Sequence, residues 1–217
     1  MNIHLGHRPH LPTGRQERSD GRVYPQRVAG VAPAKVVPPP VPWTPLGNDI
    51  FGDCVFAATA HAIQADDPNV RFTVAQVLDP YHIYERDYDG GKDLGADPSV
   101  VEDWTMRPTG LFGYKTVGYQ NIETNDLAGL RSAIAEEKAV LLELALPDSA
   151  VRQWQAWPPK PWTVVSGSKI YGYHEIALVG YDGWFYGVTW GTLKKIEPKF
   201  ISTYGLQAQA PMGWSPA

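Results

Sequence analysis

The chain has 217 residues, a formal net charge of −4, 43% hydrophobic and 19% charged residues, which is enough apolar material for one sizeable core and excludes wholesale disorder. A pI near 5.8 argues against a general nucleic-acid binder. The single cysteine, Cys54, excludes an intramolecular disulfide framework and any zinc site built on a cysteine pair.

The elements follow in chain order. Residues 1–45 hold nine of the 20 prolines and carry a charge of +4, which leaves −8 on residues 46–217. Proline fixes φ and removes donors, so this arm is expected to run extended. It has no core of its own and becomes ordered only by packing on its own body or on a neighbouring subunit. The first ten residues, MNIHLGHRPH, lack the apolar region of a secretory signal. No stretch reaches the roughly 18 apolar residues of a spanning helix, so no membrane partner is expected. With no disulfide possible either, the expectation is a cytoplasmic protein or part of an assembly made inside a cell.

The body begins at Leu46. Residues 54–64, CVFAATAHAIQ, read as a buried Ala-rich helix. Thr73 and Gln76 form a capping box for a helix over 74–84, which Pro80 is expected to interrupt. Residues 85–98 read as an Asp/Gly loop, and Ser99 with Glu102 as the cap of a short helix that stops before Pro108. Residues 113–121 alternate like a strand, 125–138 form an amphipathic helix, and 139–146 form a strand. Residues 154–162 read as an irregular loop. Strands over 173–182 and 184–190 are joined by an Asp182-Gly183 turn. Helices early and strands late give an α+β order.

Cys54 opens its helix just after Gly52-Asp53. Helix N-termini favour the thiolate, the reactive form, although a lone cysteine in an Ala-rich helix is also ordinary core filler. A nucleophile needs a base. His4, His7 and His10 lie in the arm, and His82 decorates a helix. His61 is two turns past Cys54, about 10 Å along the axis and out of hydrogen-bond reach. His174 begins a strong apolar strand, from which it either faces a helix N-terminus across a cleft or serves as an ordinary structural histidine. Trp154, Trp157 and Trp162 among prolines read as loop anchors, with a substrate platform as the alternative. Asp87, Asp89 and Asp93 have part of a calcium-loop spacing, but Lys92 and Pro98 occupy positions that need Gly and Glu. No cofactor or metal is expected.

The segment Asn48-Asp49-Ile50-Phe51-Gly52-Asp53-Cys54 and the strand His174-Glu175-Ile176-Ala177-Leu178-Val179-Gly180-Tyr181 resemble the cysteine and histidine segments of papain-like cysteine peptidases. Thr189-Trp190-Gly191 resembles the later Asn-Ser-Trp-Gly signature of that family, in the right order. The resemblance implies a papain-like fold. A helical lobe with Cys54 at a helix N-terminus would face an antiparallel β lobe, with an extended arm (1–45) before the papain-like domain (46–217).

It further implies hydrolysis of peptide or amide bonds, with Cys54 as nucleophile, His174 as its base and Asn48 standing where the family has its oxyanion Gln. Gly52, Asp53, Tyr173 and Trp190 would then contact a peptide or protein substrate. The chain departs from the pattern at four positions. Val188 occupies the place of the His-orienting Asn, so the triad shrinks to a dyad or another residue fills the third role. Val55 replaces the Trp that usually follows the nucleophile. Phe51 replaces a cysteine of the secreted members, which suits a reducing compartment. Asn48 is one methylene shorter than Gln. The alternative is a catalytically degenerate papain-like fold used in assembly, as in a bacteriophage virion component, with the arm anchored on neighbouring subunits. Similar divergent proteins occur in actinobacteria and their phages.

Overall fold

The structure is a computed structural model that describes residues 31–217. The three N-terminal histidines and the first 30 residues of the arm lie outside the described residues.

The first helix, α1 (Cys54–Asp66), is buried on every face from Cys54 to Ala65. A helix without a polar face belongs at the centre of a fold. Its alanines at 57, 58, 60, 62 and 65 allow two layers to close on it. On one side it meets α2 (Val74–Tyr88) and α3 (Pro98–Thr105), in a cluster that includes Cys54, Phe56, Tyr81, Tyr84, Ala96 and Val101. The Thr73–Gln76 capping box forms as expected. Pro80 lies inside α2 without ending it; it forfeits only the bond to the Gln76 carbonyl, and the tyrosines that follow continue the buried face. The helix therefore runs to Tyr88, past the expected loop start, where Tyr88 stacks on Tyr84 at 4.7 Å. The cap of α3 is Asp97, not Ser99: its Oδ1 accepts from the Ser99 N–H at 2.9 Å, and Pro98 takes the first helical position.

On its other side α1 lies against an antiparallel sheet. The strands are β2 (Gly118–Ile122), β3 (Val140–Pro147), β4 (Ile170–Tyr181), β5 (Phe185–Thr189), β6 (Thr192–Ile196) and β7 (Gly205–Met212). They are ordered β2-β7-β3-β4-β5-β6. A separate pair joins β1 (Tyr114–Lys115) to β8 (Ser215–Pro216), so the single strand expected over 113–121 is broken at Thr116-Val117. Side chains alternate across the pleat. Ala177, Val179 and Val188 face Ala58, Ala62 and Ala65 of α1. Ile176 and Leu178 face the opposite layer with α4 (Leu127–Glu137), α5 (Asp148–Gln155) and α6 (Pro198–Tyr204). Helix α5 begins inside what the sequence left unassigned and takes the first two residues of the expected Trp/Pro loop.

Residues 31–45 run across the body. Val36 and Tyr181 exchange backbone hydrogen bonds at 2.8 and 2.9 Å, and the Tyr181 hydroxyl donates to the Pro33 carbonyl at 2.9 Å. Pro38 packs against Gly180 so closely that a Cβ there would meet its ring at 2.8 Å. Among the described residues no helix is long and apolar enough to cross a membrane.

Candidate active site

The nucleophile candidate stands at the end of a tightly bonded turn. Leu46 and Gly47 both have positive φ, at 58° and 109°, and the Gly47 carbonyl accepts from the Ile50 and Phe51 N–H groups at 2.9 Å. Asn48 is buried, and its amide donates to the Phe51 carbonyl at 3.2 Å. Asp93, 41 residues further on, closes the turn from outside. Its carboxylate accepts from the Gly52 N–H at 3.0 and 3.2 Å and from the buried Tyr81 hydroxyl at 2.5 Å. Cys54 follows, 1% exposed, at the positive end of the α1 dipole.

Asp53 stands at the N-cap of α1 without capping it. Its carboxyl is fully buried, and burial pushes it up to about 8; the nearby Asn48 amide opposes the shift, and Asp93 and Asp49 add to it. Burial thus favours the neutral form of the acid beside Cys54.

His174 lies near the start of β4, opposite Leu144 of β3, and is 0% exposed. Its Nε2 is 2.7 Å from the Thr189 Oγ1. Its ring stacks on the Trp190 indole at 4.5 Å and 14°. Trp190 and Gly191 form the two-residue loop between β5 and β6, both at positive φ, 45° and 69°, as the tightest hairpin turns demand. A tryptophan in that conformation is strained. It is held by His174 on one side and by Trp154 and Trp162, at 5.0 and 6.1 Å.

The neighbouring residue Glu175 turns to the other side of the sheet, directly across from Glu143. Burial holds its carboxyl well above the usual range, and Glu143, Glu102 and Asp97 push the same way.

The structure thus places Asn48, Gly52, Asp53 and Cys54 on one continuous bonded segment, and joins His174 to Trp190 in one stacked unit; Tyr173 is half-buried beside them on β4. Thr189 and Asp93 escaped the sequence reading as site residues. His61 is structural: its Nε2 donates to the Thr44 carbonyl at 2.9 Å, and its ring meets Trp43 edge-on at 5.7 Å. Burial lowers its imidazole to about 4. His82 pairs with Glu85 at 2.6 Å. Of the three tryptophans, Trp162 is a core anchor whose Nε1 donates to the Ala150 carbonyl at 3.0 Å, while Trp157 is exposed. Asp87 pairs with Arg86, and among the described residues no three His, Cys, Asp or Glu side chains are grouped to hold a metal ion.

No family model matches the chain, and no curated protein matches it. Solved structures do. Xylellain, a cysteine protease from Xylella fastidiosa, superposes with a TM-score of 0.61 at 15% identity, covering 94% of this chain and 99% of that one. The digestive procathepsin L2 proteinase from Tenebrio molitor larval midgut gives 0.47 at 13% identity, over 85% of this chain and 69% of that one. With a central Cys-bearing helix between a helical lobe and an antiparallel sheet that carries the histidine, the chain has the papain-like fold.

Proposed function

We propose that the protein is a papain-type cysteine peptidase acting on peptide or amide bonds through Cys54 and His174. The observation that supports the reading is the placement within this fold: the one cysteine opens the central helix, and β4, which packs on that helix through Ala177 and Val179, also carries His174, hydrogen-bonded to Thr189 and stacked on Trp190. In the reaction the Cys54 thiolate attacks the carbonyl carbon. The Cys54 backbone N–H and the Asn48 amide stabilise the oxyanion. The C–N bond breaks as His174 gives its proton to the leaving amine. Water then attacks the thioester, losing its proton to His174; the C–S bond breaks, releasing the acid and restoring the Cys54 thiolate beside the protonated His174. Gly52, Asp53, Tyr173 and Trp190 frame the substrate site in this reading.

A second reading, a papain-like fold kept for assembly with neighbouring subunits bound through residues 1–45, draws on one observation: Cys54 and His174 are both enclosed, at 1% and 0% exposure. One experiment separates the two. An irreversible thiol-directed peptidase inhibitor labels Cys54 faster than free cysteine if the thiol is activated. Labelling no faster than free cysteine, with no cleavage of a fluorogenic peptide library, favours the assembly role.

A further inference from the structure

We infer that Thr189 is the positioning residue for the His174 imidazole, doing from the neighbouring pleat what the amide side chain at the position of Val188 does in papain-like peptidases. The inference rests on His174 being the base of the proposed reaction.

The pleat decides which side chain of β5 can reach the ring. Val188 is paired with Ala177 and packs with Ala58 and Ala62 on the α1 side. Thr189, one residue on, points the other way, and its Oγ1 lies 2.7 Å from Nε2. Both residues are buried, at 2% and 0% exposure, so water does not compete for the bond. Thr189 is also held in place. Its Cβ branch restricts χ1, and it pairs with Thr192 directly across the Trp190-Gly191 turn. The same turn thus fixes the hydroxyl at the edge of the imidazole and the indole on its face.

The chemistry follows from the donor inventory. With Nε2–H donating to Oγ1, Nδ1 is the basic nitrogen. When Nδ1 takes up a proton, Nε2–H keeps its acceptor, and the bond strengthens because the donor is now charged. A hydroxyl differs from an amide carbonyl in one respect: it can also donate. The alternative tautomer, with Thr189 donating to Nε2, puts the proton on Nδ1 and removes the base. Trp190 and Thr189 together fix the ring plane, and the tautomer is the quantity to measure.

The test uses the full chain with His ring nitrogens labelled. In the wild type, nitrogen NMR of His174 shows the Nε2–H tautomer near neutral pH. Thr189→Val keeps the shape and removes the hydroxyl; it yields a mixture of tautomers, moves the pH profile of Cys54 alkylation, and lowers kcat/KM about ten- to a hundredfold, the size of one lost charge-assisted hydrogen bond. Thr189→Ser restores the profile to within about threefold. A wild-type Nδ1–H tautomer overturns the inference. So does a Thr189→Val protein with unchanged tautomer and alkylation profile. The tautomer is read without turnover, so a correct tautomer in a protein that cleaves nothing sinks the peptidase reading and leaves the Thr189 assignment standing. Were Thr189→Val not to fold, the wild-type tautomer and Thr189→Ser decide.

Discussion

Replacing Asp93 by Ala should loosen the turn that carries Cys54. The carboxylate holds that turn from a distant segment: it accepts from the Gly52 N–H at 3.0 Å and from the Tyr81 hydroxyl at 2.5 Å. A hydrogen bond to a charged group contributes about 1.5–3 kcal/mol, and a buried donor left unpaired costs about 1–3 kcal/mol. Two such bonds are lost, but Asp93 lies at the surface, so water can enter and satisfy the Gly52 N–H. Tyr81 is fully buried and is harder to rescue. The expected loss is therefore at the low end, about 2–3 kcal/mol. Urea denaturation measures it as a lower midpoint with an unchanged slope. Asp93→Asn should lose less, because its amide oxygen still serves one partner. A double-mutant cycle with Tyr81→Phe should show coupling of about 1 kcal/mol or more, since the two share one bond. The second readout is local: with the turn freed, Cys54 alkylation should change rate well below the unfolding transition. A stability change under about 0.5 kcal/mol, with alkylation unchanged, refutes the idea that Asp93 pins the Cys54 segment.

Stability should fall as pH rises from about 6.5 to 8: Asp53 is raised to about 8, so the folded state holds a proton that the unfolded state releases, by up to about 1.4 kcal/mol per pH unit, and the raised Glu175 carboxyl acts in the same direction. Thermal melts across that range check it; Asp53→Asn should flatten the fall, and a rising curve would contradict the assignment. His61 acts in the opposite sense: held neutral down to about 4 against an ordinary 6.5, it contributes stability that is lost as pH falls through that window. Gly191→Ala should cost at least about 2 kcal/mol, because φ is +69° and the new Cβ would lie 2.5 Å from the Pro45 nitrogen; an unchanged Tm would mean that the segment at Thr44-Pro45 gives way easily. Deleting residues 1–40 should leave a folded body lowered by about 1–3 kcal/mol, through the lost Val36–Tyr181 bonds and the exposed seat of Pro38 on Gly180; loss of an oligomer in the same variant would support the assembly role.

What could be read from the residues follows a physical line. Helix α1 was legible because its small apolar residues carry the signal locally, and β4 with β5 because their apolar runs flank an Asp-Gly turn. Strand β7 was not. Its sequence, GLQAQAPM, has no β-branched residue, and Ala208 and Ala210 become core only because the strand inserts between β2 and β3. Helix α5 was hidden for a related reason: only Ser149, Ala150 and Val151 of its residues are buried, and its place is fixed in part by the Trp162 indole bonding back to the Ala150 carbonyl. Pro80 misled because the rule against proline prices one lost bond, while the buried tyrosines around it supply the packing that outweighs it.

The same line runs through the site. Cys54 and His174 stand on elements that declare themselves in the local sequence. Their supports are long-range: Asp93 reaches Gly52 across 41 residues, and no spacing rule connects them. Val188 illustrates the limit most sharply. Counting back from Trp190-Gly191 puts the orienting role on an apolar residue, which argues for a broken triad. Strand geometry makes that count ambiguous by one, because adjacent residues face opposite layers and a small difference in how β5 meets β4 decides which faces the imidazole. The register here is irregular between Leu178 and Gly180, one residue beyond the pair that seats Val188 against α1. A missing residue at a motif position is therefore weak evidence by itself when its strand neighbour carries a hydroxyl: Val188 packs toward α1, and Thr189 supplies the polar contact to His174 from the opposite face.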